Sequence, residues 1–124
     1  LRQWFGEVHI TRLSESHQPT GYWERDVLID GDNYPQVFAR TRVNSAALTR
    51  LPGLAELGDS PLGDWLFQQS SCEAVSFALR ALSDLKLDLP ALPYPPITPV
   101  RERFYRVQGE LIWIVEIFLD NNHA

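Results

Sequence analysis

Glu116 is the one ionisable side chain in the most apolar stretch of the chain, Leu111-Ile112-Trp113-Ile114-Val115-Glu116-Ile117-Phe118-Leu119. A carboxylate in apolar surroundings is costly unless it is paired, hydrogen-bonded or protonated, and one placed there is suited to proton transfer or to binding a hydroxyl. The β-branched and aromatic residues around it favour a strand, on which Ile112, Ile114, Glu116 and Phe118 share a face. Arg25 is the second such residue. In a strand over residues 22–30, Trp23, Arg25, Val27 and Ile29 share one parity, so the guanidinium lies on an apolar face and needs a carboxylate or an anionic ligand. Two readings follow. Arg25 and Glu116 form a buried structural ion pair, or they line a pocket in which Arg25 holds a ligand carboxylate while Glu116 moves a proton or binds a hydroxyl. Ser60-Pro61-Leu62-Gly63 adds a third element. A capping Ser followed by Pro at the first helical position predicts a helix start, whose first-turn N–H groups, Leu62 among them, can face an anion. Most capped helices bind nothing at that end, so Leu62 gains its weight from the other two.

Other reactive side chains carry less. His9, His17 and His123 have no metal-ligand spacing, Ser70-Ser71-Cys72 has no hydrolase signature around it, and Gly58 to Gly63 lacks the Lys of a phosphate loop. Arg40, Arg42, Arg101, Arg103 and Arg106 read as solvated strand faces, from which one or two can contribute to a positive pocket.

The elements that must position these residues follow from the pattern. Residues 7–14 predict a first strand, and residues 22–30 and 36–43 form a hairpin around Asp30-Gly31-Asp32-Asn33. Asn44 or Ser45 caps a short helix over residues 46–51, broken by Pro52-Gly53, and the helix opening at Ser60-Pro61 follows. Residues 73–82 fit a strand and a helix equally. Residues 84–99 hold Pro90, Pro93, Pro95, Pro96 and Pro99 and predict an irregular excursion that could cover a site. A second hairpin, residues 100–107 and 111–119, closes the chain. The fold class is α+β, a single antiparallel sheet of five to six strands with short helices inserted between two hairpins. A length of 124 residues suits one domain over 1–124. A net charge of −5 gives nucleic acid no bulk attraction, one cysteine excludes an internal disulfide, and no apolar run approaches the ~18–20 residues of a spanning helix. No signal peptide is visible, so the expected compartment is the cytoplasm.

In this order the motifs resemble the bacterial chorismate pyruvate-lyase (4-hydroxybenzoate synthase) family. Tyr22-Trp23-Glu24-Arg25-Asp26-Val27-Leu28-Ile29, with Pro35 and Ala39-Arg40-Thr41, resembles its central hairpin. Ser60-Pro61-Leu62-Gly63-Asp64-Trp65-Leu66-Phe67 is similar to its "PLG…LF" helix start, and Arg101-Glu102-Arg103-Phe104 with Val115-Glu116-Ile117-Phe118-Leu119 is similar to its closing hairpin. The resemblance implies a chorismate lyase-like fold and the conversion of chorismate to 4-hydroxybenzoate and pyruvate, the entry to ubiquinone synthesis, with no metal or organic cofactor. It also implies that Arg25, backbone groups at Leu62 and a first-strand residue matching Arg12 hold the ring carboxylate, and that Glu116 meets the ring hydroxyl. The family's N-terminal helices have no counterpart in Leu1 to Gly6, and Ile97-Thr98-Pro99-Val100 replaces its Trp-Gly pair. The expected partner is a small anionic aromatic or dihydroaromatic carboxylate, with no nucleic acid and no stable membrane insertion; the oligomeric state is left open, a monomer being favoured. The alternative is a non-catalytic ligand-binding domain of the same fold, such as the effector domain of a GntR-type regulator.

Overall fold

Alternating apolar residues put seven segments into strands in the computed structural model, which describes residues 3–5, 8–31, 34–92, 94 and 98–119. They are β1 (Gln3–Phe5), β2 (Val8–His17), β3 (Tyr22–Gly31), β4 (Tyr34–Asn44), β5 (Cys72–Ala81), β6 (Pro99–Val107) and β7 (Glu110–Phe118). All neighbours are antiparallel, in the order β1-β2-β3-β4-β7-β6-β5. Six are long and the three-residue β1 extends one edge. The α+β class and the two hairpins, β3–β4 and β6–β7, are as the sequence predicts. Asp32, Asn33 and His123 lie outside the described residues, as do Pro93, Pro95 and Pro96.

The two long connections cover opposite faces of the sheet. Residues 45–71 cross one face, on which Trp23, Val43, Ile112 and Ile114 pack against Ala47, Leu51, Leu54, Trp65 and Leu66. That connection holds 3-10 turns at Ser45–Arg50 and Leu54–Glu56 and the six-residue helix α1 (Leu62–Phe67). Asn44 is the cap of the first turn, its Oδ1 accepting from the Ala46 N–H at 2.9 Å. Gly53 takes φ +89°, a left-handed turn that brings the chain under Trp65, whose Nε1 donates to the Pro52 carbonyl at 3.0 Å.

The other face carries Phe38, Val100, Val115, Ile117 and Leu119, covered by Leu82, Leu85, Leu87, Leu89, Leu92 and Tyr94. The proline-containing excursion therefore packs on the sheet's reverse side, where leucines at alternating positions supply its apolar edge. Arg40 fastens it there. Its guanidinium makes a bidentate pair with Asp26 at 2.8 and 2.9 Å and donates to the Asp88 carbonyl at 2.9 Å.

Two local expectations change. Residues 73–82, equally helix and strand by pattern, form the edge strand β5, because pairing satisfies the outer backbone groups of β6 from Cys72↔Val107 to Ala81↔Pro99. The helix predicted to start with a Ser60 cap instead has Pro61 at its cap position, with no side-chain cap bond. Ser60 serves through its carbonyl, which accepts from Arg25. Among the described residues, no helix is long and apolar enough to cross a membrane.

Candidate active site

Register decides which side chains meet. Arg25 pairs across to Thr41, Thr41 to Ile114, and Ile114 to Arg103, so these residues form one row over β3, β4, β7 and β6. The neighbouring row runs Val27, Ala39, Glu116, Arg101. Directly opposite residues in antiparallel strands point to the same face, so Arg25, Glu116, Arg101 and Arg103 all project toward the side crossed by α1. Between the sheet and α1 lies a cavity of about 280 Å³. Arg25, Glu116 and Arg103 supply its charge, Leu62, Ala39 and Ile114 part of its apolar wall, and Tyr105 a hydroxyl.

Arg25 is 1% exposed. Its Nη2 donates to the carbonyls of Gly58 at 3.0 Å and Ser60 at 2.6 Å, while its buried Nε has no hydrogen-bond partner. Desolvation pulls its pKa down to about 10, against the favourable fields of the Glu15 and Asp59 carboxylates. Among the described residues, no carboxylate lies within ion-pair distance of it. A guanidinium held by neutral carbonyls, buried, and keeping an unused donor is prepared for an anion.

Glu116 takes the paired option among the three open to it, with partners other than Arg25. Arg101 grips it bidentately, Nε to Oε1 at 2.7 Å and Nη2 to Oε2 at 2.9 Å, and Arg103 Nη2 stands 3.1 Å from Oε1. A carboxylate has about four lone-pair sites, so the carboxylate retains capacity for a ligand hydroxyl.

Of the four residues singled out by sequence, the fold brings Arg25, Leu62 and Glu116 to one cavity and leaves Arg12 outside its lining. The Arg12 side chain is half exposed and lies 3.8 Å from Glu15, and its backbone N–H donates to Asp59 Oδ1 at 3.0 Å. Its charge nevertheless reaches Arg25, lowering the pKa there. Ile10 is the β2 residue in the wall. Leu62 is the first residue of α1, where an N–H has no intrahelical acceptor. Six residues develop little dipole, so charge recognition rests with Arg25.

Sequence reasoning gave too little weight to Arg101 and Arg103, read as solvated faces. Their parity with Tyr105 on β6, set against that of Glu116 on β7, was the available signal. Glu15 was missed for another reason. The register shift between Arg12 and Ser14 turns it onto the site face opposite Arg25, and a one-residue bulge leaves no mark in the sequence pattern.

Residues 5–87 match the chorismate lyase family. A probable chorismate pyruvate-lyase of Pasteurella multocida is 36% identical over 96% of this chain and 72% of the relative. One from Shewanella amazonensis is 44% identical over 92% of this chain and 64% of the relative, and one from Pseudoalteromonas atlantica is 31% identical over 91% and 58%. The chain thus spans roughly three-fifths to seven-tenths of the length of these relatives.

Proposed function

We propose that this chain, which belongs to the chorismate lyase family, is a cytoplasmic lyase that converts chorismate to 4-hydroxybenzoate and pyruvate at the entry to ubiquinone synthesis. The observation that carries this reading is Arg25, a buried guanidinium with an unpartnered Nε and, among the described residues, no carboxylate of its own, facing the same small cavity as Glu116. The ring carboxylate sits on Arg25, backed by the main chain at Leu62, and the ring lies along the apolar wall of Val27, Ala39 and Ile114. Glu116 accepts the C4 hydroxyl. Arg12, whose charge acts on Arg25, draws the anion inward.

In the reaction the C3–O bond breaks and C4 gives up its hydrogen. The departing enolpyruvate becomes pyruvate by gaining a proton at its methylene carbon. No atom is added and no net redox change occurs. Aromatisation of the ring supplies much of the driving force, so the protein chiefly orients and desolvates the substrate. Glu116, fixed by two guanidiniums, holds the C4 hydroxyl in one orientation while C4 loses its hydrogen.

Incubation with chorismate tests the reading, with 4-hydroxybenzoate and pyruvate expected in equal amounts. Tight binding of 4-hydroxybenzoate with no turnover would overturn it in favour of a ligand-binding domain.

A further inference from the structure

We propose that Arg103 is a specificity residue that binds a second carboxylate, carried by a substituent on the ring carbon beside the one whose hydroxyl meets Glu116. This rests on the reading above, in which the second carboxylate is that of the enolpyruvyl group.

Three observations carry it. Arg101 engages both oxygens of Glu116, which leaves Arg103 sharing an oxygen already taken, at 3.1 Å. Glu116 is the sole carboxylate within ion-pair distance of Arg103 among the described residues. The positive charge of Arg103 is therefore not matched by a carboxylate of its own. Its Nη1 donates to the neutral hydroxyl of Tyr105 at 3.0 Å, and its buried Nε has no hydrogen-bond partner. Finally, it is Arg103, and not Arg101, that lines the cavity.

The positions agree with a dicarboxylate. Arg25 and Arg103 occupy the same row three strands apart, roughly 14 Å between backbones at about 4.8 Å per strand, with both side chains reaching into one cavity. A ring carrying its carboxylate on Arg25 and its para hydroxyl on Glu116 presents the neighbouring carbon to the guanidinium beside Glu116. A carboxylate on that carbon's ether arm meets the Nε and Nη2 edge of Arg103 as a charge-assisted pair. When the C3–O bond breaks, the same contact stays with the leaving enolpyruvate, and Arg103 holds the pyruvate product.

Equilibrium binding of two unreactive ligands tests this apart from catalysis. 4-Hydroxybenzoate carries one carboxylate, and 3-(carboxymethoxy)-4-hydroxybenzoate adds a second on an ether arm at the position in question. The wild-type protein is expected to bind the dicarboxylate about 10- to 100-fold more tightly, as expected for one added partly buried ion pair. Arg103→Met is expected to bring the ratio of the two Kd values to about one, beyond any loss that both ligands share through Glu116, and Arg103→Lys to restore part of the preference. The proposal is overturned by equal affinities in the wild type, a comparison that needs no variant. It is also overturned by an Arg103→Met protein that weakens both ligands alike, which would make Arg103 only a support for Glu116. Absence of chorismate turnover with the dicarboxylate preference intact would remove the lyase reading and leave the subsite standing.

Discussion

Replacing Arg25 with Met separates a ligand-binding arginine from a structural one. Because burial pulls its pKa well below the ordinary guanidinium value, to about 10, and each unit corresponds to about 1.36 kcal/mol, the charged side chain costs the ligand-free protein about 3 kcal/mol. The sign follows from a cation whose folded pKa lies below its unfolded one. The cost is present in full at neutral pH and fades only above pH 10. Against it stand two hydrogen bonds from a charged donor, to Gly58 O and Ser60 O, each contributing about 1.5–3 kcal/mol. Arg25→Met removes both sides of this balance, so the net destabilisation is between about 0 and 3 kcal/mol. For 124 residues each kcal/mol moves Tm by roughly 4 °C, giving a fall of no more than about 12 °C. Ligand affinity behaves differently. Loss of a desolvated carboxylate–guanidinium pair costs about 3 kcal/mol or more, so the Kd for 4-hydroxybenzoate should rise at least about 100-fold. Thermal unfolding with and without ligand reads both effects at once. At a ligand concentration 100 times its Kd the wild type gains about 2.7 kcal/mol, a rise of roughly 10 °C, and Arg25→Met at the same concentration gains almost nothing. A large Tm drop with affinity within threefold of wild type would refute the reasoning and make Arg25 a strut for the loop before α1.

Glu116→Gln should reduce chorismate turnover at least about 100-fold while the protein still folds, because the amide keeps its shape but loses the charge that fixes Arg101 and Arg103; steady-state kinetics beside a circular dichroism spectrum checks both. Cys72, the sole cysteine and exposed at the cavity lining, should react with a thiol reagent several-fold more slowly when 4-hydroxybenzoate is bound, as followed by absorbance. Asp26→Asn breaks the buried pair with Arg40 on the reverse face and should cost about 3–5 kcal/mol, measured by denaturant unfolding. KM for chorismate should stay within about twofold under folding conditions, since the cavity lies on the other side of the sheet.

Much of this protein was already legible as a linear pattern. Period-two alternation is a local property, so Trp23, Arg25, Val27 and Ile29 declared a shared face, and Glu116 declared its apolar one, before any strand was paired. The break at Pro52-Gly53 was equally local. Neither parity nor capping says which strand lies beside which. Only the order β3-β4-β7-β6 puts Arg25 and Glu116 over one cavity without joining them, and gives Glu116 to Arg101 and Arg103 instead. The same holds for the excursion after β5, whose leucines could have covered either face and pack on the reverse side because Phe38, Val115 and Ile117 are exposed there until it does. The bulge that turns Glu15 toward Arg25 is likewise a matter of pairing, set by how β2 meets β3. The sequence by itself determined which residues face inward and what chemistry they could do. Tertiary structure decided which of them meet, because partners dozens of residues apart are chosen by strand register and packing, which no local pattern encodes.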